Sequence, residues 1–207
     1  MRSVPAPPAV SSDVAGEPGG APRAWAGVLL TGGRGRRLGG VDKAALRHGG
    51  LSLLERGLTA LAGAERTVVV GPRTATSRPV EFAVEKPAGG GPAAGLLAAV
   101  DVLADGPPLV VVLAVDMAWV EAATVARLLA GLTPEVDGAA LDDGRRQPLA
   151  AAYRLSSLRS LPAPAQGSAQ GLSVHRLLAP LRLARVPARA GEAHDIDTPD
   201  DLHLLDG

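Results

Sequence analysis

The residues best equipped for chemistry lie in one short stretch, Leu30-Thr31-Gly32-Gly33-Arg34-Gly35-Arg36-Arg37-Leu38-Gly39-Gly40-Val41-Asp42-Lys43. Glycines let backbone N–H groups approach a polyphosphate closely, and the arginines and Lys43 supply compensating positive charge. The spacing excludes two familiar phosphate loops. Lys43 follows Asp42 rather than Gly and precedes Ala44 rather than Ser or Thr, so the stretch is not a Walker A loop, and the third glycine of a dinucleotide fingerprint would fall on Leu38. By residue type alone the stretch reads as a phosphate cradle or as a solvated arginine turn.

Four further groups have chemical potential. Asp116 ends the apolar run LVVVLAV, where a carboxylate either ligates a hard cation or simply caps a helix. Gly89-Gly90-Gly91-Pro92-Ala93-Ala94-Gly95 opens a helix whose free N–H groups suit an anion or a base edge, and which is equally a good structural start. Asp195-Ile196-Asp197 precedes Thr198-Pro199-Asp200-Asp201, a segment that helix capping alone explains. Arg145 and Arg146 stand before the strand-like run 147–153 and read as an anion contact or a solvated pair. His48, His175, His194 and His203 show neither metal-ligand spacing nor a serine or cysteine partner, and are assigned solvated or packing roles.

These groups need a scaffold. The run 25–31, WAGVLLT, is a short apolar strand that feeds the glycine loop; 67–70 is a second buried strand, and 80–84 a third nearer an edge. The β-branched run 109–115 predicts a central strand covered on both faces. Helical spacing predicts helices at 52–61, 92–103, 121–132, 173–181 and 199–205, with a strand at 147–153. Repeated strand–helix alternation implies an α/β fold with a Rossmann-like, doubly wound, mostly parallel sheet and helices on both faces. Residues 1–23 are dominated by Pro, Ala, Ser and Gly without apolar periodicity, so 1–24 is expected as a disordered tail and 25–207 as one domain. Residues 162–171 are expected as a mobile loop.

Composition sets the outer bounds. A chain of 207 residues, 46% hydrophobic but 2% aromatic, builds its core from small aliphatic side chains, which favours stacked helix and sheet layers. Twenty-one basic residues balance twenty-one acidic ones, so no overall field draws the chain to nucleic acid or a membrane surface. The absence of cysteine excludes disulfides, thiolate metal sites and cysteine nucleophiles. No apolar run is long enough to span a bilayer or to act as a secretory signal, so a soluble, cytoplasmic protein is expected.

Taken in order, the motifs carry a resemblance. Residues 30–43 resemble the signature loop of the molybdopterin nucleotidyltransferases, and GGRGRRLGGVDK is very similar to the guanylyltransferase form. The segments at Gly91–Gly95, Asp116, Arg145–Pro148 and Asp195–Leu202 follow at matching places, so the resemblance covers about residues 25–205. It implies the nucleotide-diphospho-sugar transferase-like variant of the α/β fold. It also implies transfer of GMP from GTP to molybdopterin, with pyrophosphate released and molybdopterin guanine dinucleotide formed. The alternatives are CTP-dependent cytidylyl transfer, another small phosphorylated acceptor, or a nucleotide-binding module without catalysis.

Residue by residue, the resemblance implies that Leu30, Thr31, Gly32, Gly33, Arg36, Gly71, Glu85, Gly91, Pro92 and Gly95 contact the nucleotide. Lys43 and Arg37 would act on its phosphates, and Asp116 would hold Mg²⁺ with a second contact from Asp197 or Asp195. Arg145 and Arg146 would meet the acceptor's phosphate. Implied partners are GTP and molybdopterin, with other enzymes of molybdenum-cofactor synthesis or recipient enzymes, and neither nucleic acid nor membrane. The chain departs from the family pattern at Thr31 (usually Ala), Gly71 (often Asn), Lys86 (at or next to an aspartate) and Ala118 (usually Pro). The Asp-for-Asn change at 195 and 197 also resembles the cytidylyltransferase branch.

Overall fold

A computed structural model describes residues 24–32, 40–85, 89–162 and 172–205. The expected N-terminal tail, most of the glycine loop and all of the 162–171 loop but its first residue lie outside the described residues.

Strand β1 (Trp25–Leu30) is followed by a single 3₁₀ turn at Lys43–Ala45 and a small hairpin, β2 (Arg47–His48) and β3 (Leu51–Ser52). Then come α1 (Leu53–Ala60), β4 (Arg66–Val70), β5 (Glu81–Ala83), α2 (Pro92–Val102), β6 (Leu109–Ala114) and α3 (Ala122–Ala130). The chain continues through β7 (Gly138–Asp142), β8 (Arg146–Arg154), α4 (Leu155–Arg159), α5 (Val174–Leu178), β9 (Leu183–Pro187) and α6 (Pro199–Leu202).

Seven strands form one sheet in the order β5-β4-β1-β6-β8-β7-β9, with β6 at its centre and β5 at an edge, as the apolar run and the weaker run predicted. All neighbouring pairs are parallel except those of β8, which runs antiparallel to β6 and β7. β8 therefore enters the sheet at the edge where β1 and β6 leave it. Period-two alternation sends successive side chains to opposite faces. Leu29, Val69, Val111 and Leu113 pack on one face with Leu53 and Leu58 of α1 and Val125 and Leu128 of α3. Val28, Val68, Val110 and Val112 pack on the other with Leu96 and Ala99 of α2, Leu155 and Leu158 of α4 and Leu177 of α5. Each fully buried Leu or Val contributes about 1.5–3 kcal/mol, so the two layers hold the sheet from both sides.

Local signals begin the helices where the sequence placed them. Ser52 accepts a hydrogen bond from the Glu55 backbone N–H, starting α1, and Thr198 with Asp201 forms a reciprocal capping box on α6. Beyond the predicted set lie the 3₁₀ turn at Lys43–Ala45, the hairpin, β7, β9 and α4. β7 reads GAALD, whose small residues have little strand preference of their own, and β9 reads LARVP at an edge, where Pro and charge are tolerated. Among the described residues no helix is long and apolar enough to cross a membrane.

Candidate active site

Parallel strands β1 and β6 end side by side, Leu30 beside Ala114, and the residues that follow them form a cavity of about 330 Å³. Leu30, Thr31, Gly32, Lys43, Pro92, Asp116 and Asp197 line it together. The remaining wall is made by Val115, Met117, Gln147, Pro148, Leu149, Val174, His175 and Asp195, with Ala114 beneath.

The cavity's charge is organised around Lys43. Asp42 caps the short 3₁₀ turn by accepting from the Ala44 backbone N–H at 3.0 Å, which fixes where Lys43 departs. The Lys43 ammonium donates to Asp116 Oδ2 at 2.8 Å and to Asp197 Oδ1 at 2.5 Å, although Lys43 is only 8% exposed. Burial works against its charge, but the hydrogen bonds to Asp116 and Asp197 outweigh it and raise its pKa above the ordinary lysine value. Burial pushes the Asp116 carboxyl up, and the Lys43 hydrogen bond and charge offset only part of that. Asp116 and the C-terminal segment are also tied through the backbone, because the Ile196 N–H donates to the Asp116 carbonyl at 3.1 Å.

Two carboxylates that converge on one ammonium also fit a hard divalent cation. Among the described residues no group of three or more His, Cys, Asp and Glu is arranged to hold a metal. Mg²⁺ needs fewer: it is commonly held by one or two carboxylates, with phosphate and water oxygens completing the shell. Asp116 and Asp197 are therefore the pair that would hold it.

The other expected residues divide by position. Thr31 donates from both its N–H (3.0 Å) and its hydroxyl (2.9 Å) to the Val70 carbonyl, so threonine fits this strand end. That hydroxyl fills the space beside Gly71: a Cβ at Gly71 would lie 2.1 Å from Thr31 Oγ1, and Gly71 sits behind Thr31 rather than on the cavity wall. Glu85 links the cradle to the helix start, since its carboxylate accepts from the Gly91 N–H at 3.2 Å and lies against the Gly32 α-carbon. Gly91 at φ +83° precedes Pro92, the first residue of α2, whose positive end thereby meets the cavity. Gly95 packs the helix on Val70 and Leu30, where a Cβ would approach to 3.2 Å. Gly33, Arg36, Arg37 and Lys86 lie outside the described residues. Arg145 and Arg146 are exposed and stand off the cavity wall, whereas His175, read from sequence as solvated or packing, lines the cavity.

The sequence pattern of the MobA-like NTP transferase domain matches residues 27–185. This chain belongs to that family. A molybdenum cofactor guanylyltransferase of Xanthomonas euvesicatoria is 33% identical over 188 residues, covering 88% of this chain and 95% of its own. A probable molybdenum cofactor guanylyltransferase of Opitutus terrae is 37% identical over 140 residues, covering 65% of this chain and 69% of its own. Among solved structures, a molybdopterin-guanine dinucleotide biosynthesis protein A from Archaeoglobus fulgidus superposes with a TM-score of 0.66 at 24% identity, covering 87% of this chain and 96% of that one. A nucleotidyl transferase from Methanothermobacter superposes with a TM-score of 0.68 at 22% identity, covering 88% and 96%. At these identities the solved structures speak to the fold, and the MobA-like family places a nucleotide substrate in this chain's chemistry.

Cavity-lining residues that the sequence did not single out include Val115 and Met117 after β6, Gln147 and Leu149 of β8, and Val174 and His175 of α5. The signal at Gln147 and Leu149 was weak because β8's direction is set by tertiary pairing and not by its own residues.

Proposed function

We propose that this chain transfers GMP from GTP to molybdopterin, forming molybdopterin guanine dinucleotide and releasing pyrophosphate. The observation that carries the reading is the convergence of Lys43, Asp116 and Asp197 beside Thr31 and Gly32 in one cavity of a MobA-like chain.

The reaction is a displacement at phosphorus. A terminal phosphate oxygen of the acceptor forms a bond to the α-phosphorus, the bond from that phosphorus to the bridging oxygen breaks, and pyrophosphate leaves with the electron pair. The acceptor phosphate is already ionised at neutral pH, so no side chain has to remove a proton. What the protein supplies is position and compensating charge. Mg²⁺ held by Asp116 and Asp197 would neutralise the triphosphate and polarise its phosphoryl oxygens. Lys43 keeps its proton and sets a fixed positive charge next to those carboxylates. The start of α2 at Pro92 adds partial positive charge. Glu85 accepts from the Gly91 N–H and lies against Gly32, so it holds the start of α2 against the cradle.

The test is incubation with Mg²⁺, molybdopterin and either GTP or CTP, followed by mass measurement of the product. The guanine dinucleotide is expected with GTP. A cytosine dinucleotide formed at equal or greater rate would move the chain to cytidylyl transfer, and binding of GTP without product would mark a binding module.

A further inference from the structure

β8 is not a regular strand. Ala151, Ala152 and Tyr153 pair with Ala140, Ala139 and Gly138 of β7, whereas Gln147 and Arg146 pair with Leu141 and Asp142. Within one step of β7, from Ala140 to Leu141, β8 therefore accommodates the extra residues 148–150. Such bulges re-aim side chains and are over-represented beside active sites. This one opens onto the cavity: Gln147, Pro148 and Leu149 all line it.

The bulge is pinned from within the core. The Tyr153 hydroxyl donates to the Pro148 carbonyl at 2.7 Å. Five residues of regular strand span about 16 Å, beyond the reach of a tyrosine, so this bond forms only because the bulge draws Pro148 back toward Tyr153. The ring is fully buried, and burial pushes the phenol's pKa up, so the hydroxyl stays protonated and donates. Space for the ring comes from Gly138 opposite, where a Cβ would lie 2.7 Å from Tyr153 Cδ1. A fully buried tyrosine that bonds to the backbone of a cavity-lining bulge determines the shape of that wall.

Strand order says which substrate the wall meets. The glycine cradle follows β1, Asp116 follows β6, and Gln147 and Leu149 open β8, so the wall lies across Asp116 from the triphosphate side. We propose that Tyr153 is a positioning residue for the acceptor: by holding Pro148 it fixes the wall on which Gln147 and Leu149 receive molybdopterin. The Gln147 carboxamide offers one donor group and one acceptor to the amide edge of a pterin, and Leu149 and Val174 offer apolar surface to its ring faces. This inference rests on the function proposed above.

The experiment compares the full chain with Tyr153→Phe and Gln147→Ala, measuring kcat, the KM for molybdopterin and the KM for GTP, with melting temperature as a fold control. Each variant is expected to raise the KM for molybdopterin on the order of tenfold, the scale of one well-placed hydrogen bond, with the KM for GTP unchanged within about twofold. Tyr153→Phe leaves a core carbonyl unpaired; Gln147→Ala, in a partly exposed position, keeps the test available if that variant unfolds. Wild-type turnover combined with an unchanged molybdopterin KM in the folded variants would overturn the inference alone, as would equal rises for both substrates. If wild-type chain that binds GTP does not join it to molybdopterin, the proposed reaction falls and takes the inference with it.

Discussion

Lys43 bonds to two carboxylates that lie 73 and 154 residues away in sequence, and the local chemistry follows from that one ammonium. Lys43→Ala leaves Asp116 and Asp197 adjacent without their cation, and like charges this close repel. It is expected to weaken GTP binding and to lower kcat by about 10²-fold, the scale of a lost preorganised charge, as read by titration and steady-state kinetics. Asp116→Ala is expected to abolish Mg²⁺-dependent turnover with the far-ultraviolet circular dichroism unchanged; wild-type turnover in this variant would remove Asp116 from the metal site. Glu85→Gln is expected to weaken GTP binding, read by titration, because the amide weakens the charge-assisted hydrogen bond by which the carboxylate ties the Gly91 N–H to the cradle. At this scale the sequence was informative where chemistry was written locally. The glycine loop, Lys43 and Asp116 announce themselves by composition and by the strands before them. Asp197 does not: capping explains its neighbours, and only resemblance singled it out before the fold brought it to Lys43.

The element that delivers Asp197 is the C-terminal segment, which is held at Glu192 and at Trp119 as well as through the Ile196 N–H. Glu192, 8% exposed, accepts from Thr124 Oγ1 at 2.7 Å and Arg127 Nη1 at 3.0 Å, both on α3, and from the Arg189 N–H at 2.7 Å. Farther along, Trp119 stands between His48 and His194, with ring centroids 5.6 and 5.5 Å away, beside the Asp116 loop. Burial pushes the Glu192 carboxyl up, but Arg127, the Arg189 N–H and Thr124 outweigh it and hold the pKa at about 2, below the ordinary 4.5. A folded-state pKa below the unfolded one contributes stability that is complete above pH 4.5 and fades as pH falls toward 2. The melting temperature of Glu192→Gln is therefore expected to lie below wild type at pH 6 and to converge with it on acidification, a comparison made by calorimetry; a gap independent of pH would contradict the ion-pair account. Periodicity made β1, β4, β6 and all the longer helices legible. It missed β7, because Gly-Ala-Ala carries no strand signal, and it could not show that β8 runs antiparallel, because direction resides in pairing.

Across the whole molecule one sheet serves both stability and function, with apolar layers on its faces and the site on one edge. Leu96 of α2 is fully buried in the layer against Val68 and Val110. Leu96→Ala is expected to cost about 2–5 kcal/mol in urea unfolding, through lost burial and the cavity left behind. Layer order was readable from alternating strands and helices, and strand order was not, because it depends on crossovers between distant segments. That order matters for function: β1, β6 and β8 lie side by side, so cradle, carboxylate and acceptor wall follow one another along one edge. The most direct test of the reaction assigned to that edge is pyrophosphate release with Mg²⁺ and molybdopterin, GTP and CTP supplied in separate reactions at equal concentration. Release with GTP, dependent on molybdopterin and lost in Asp116→Ala, is the predicted result. Faster release with CTP, or none with GTP although GTP binds, would contradict guanylyl transfer.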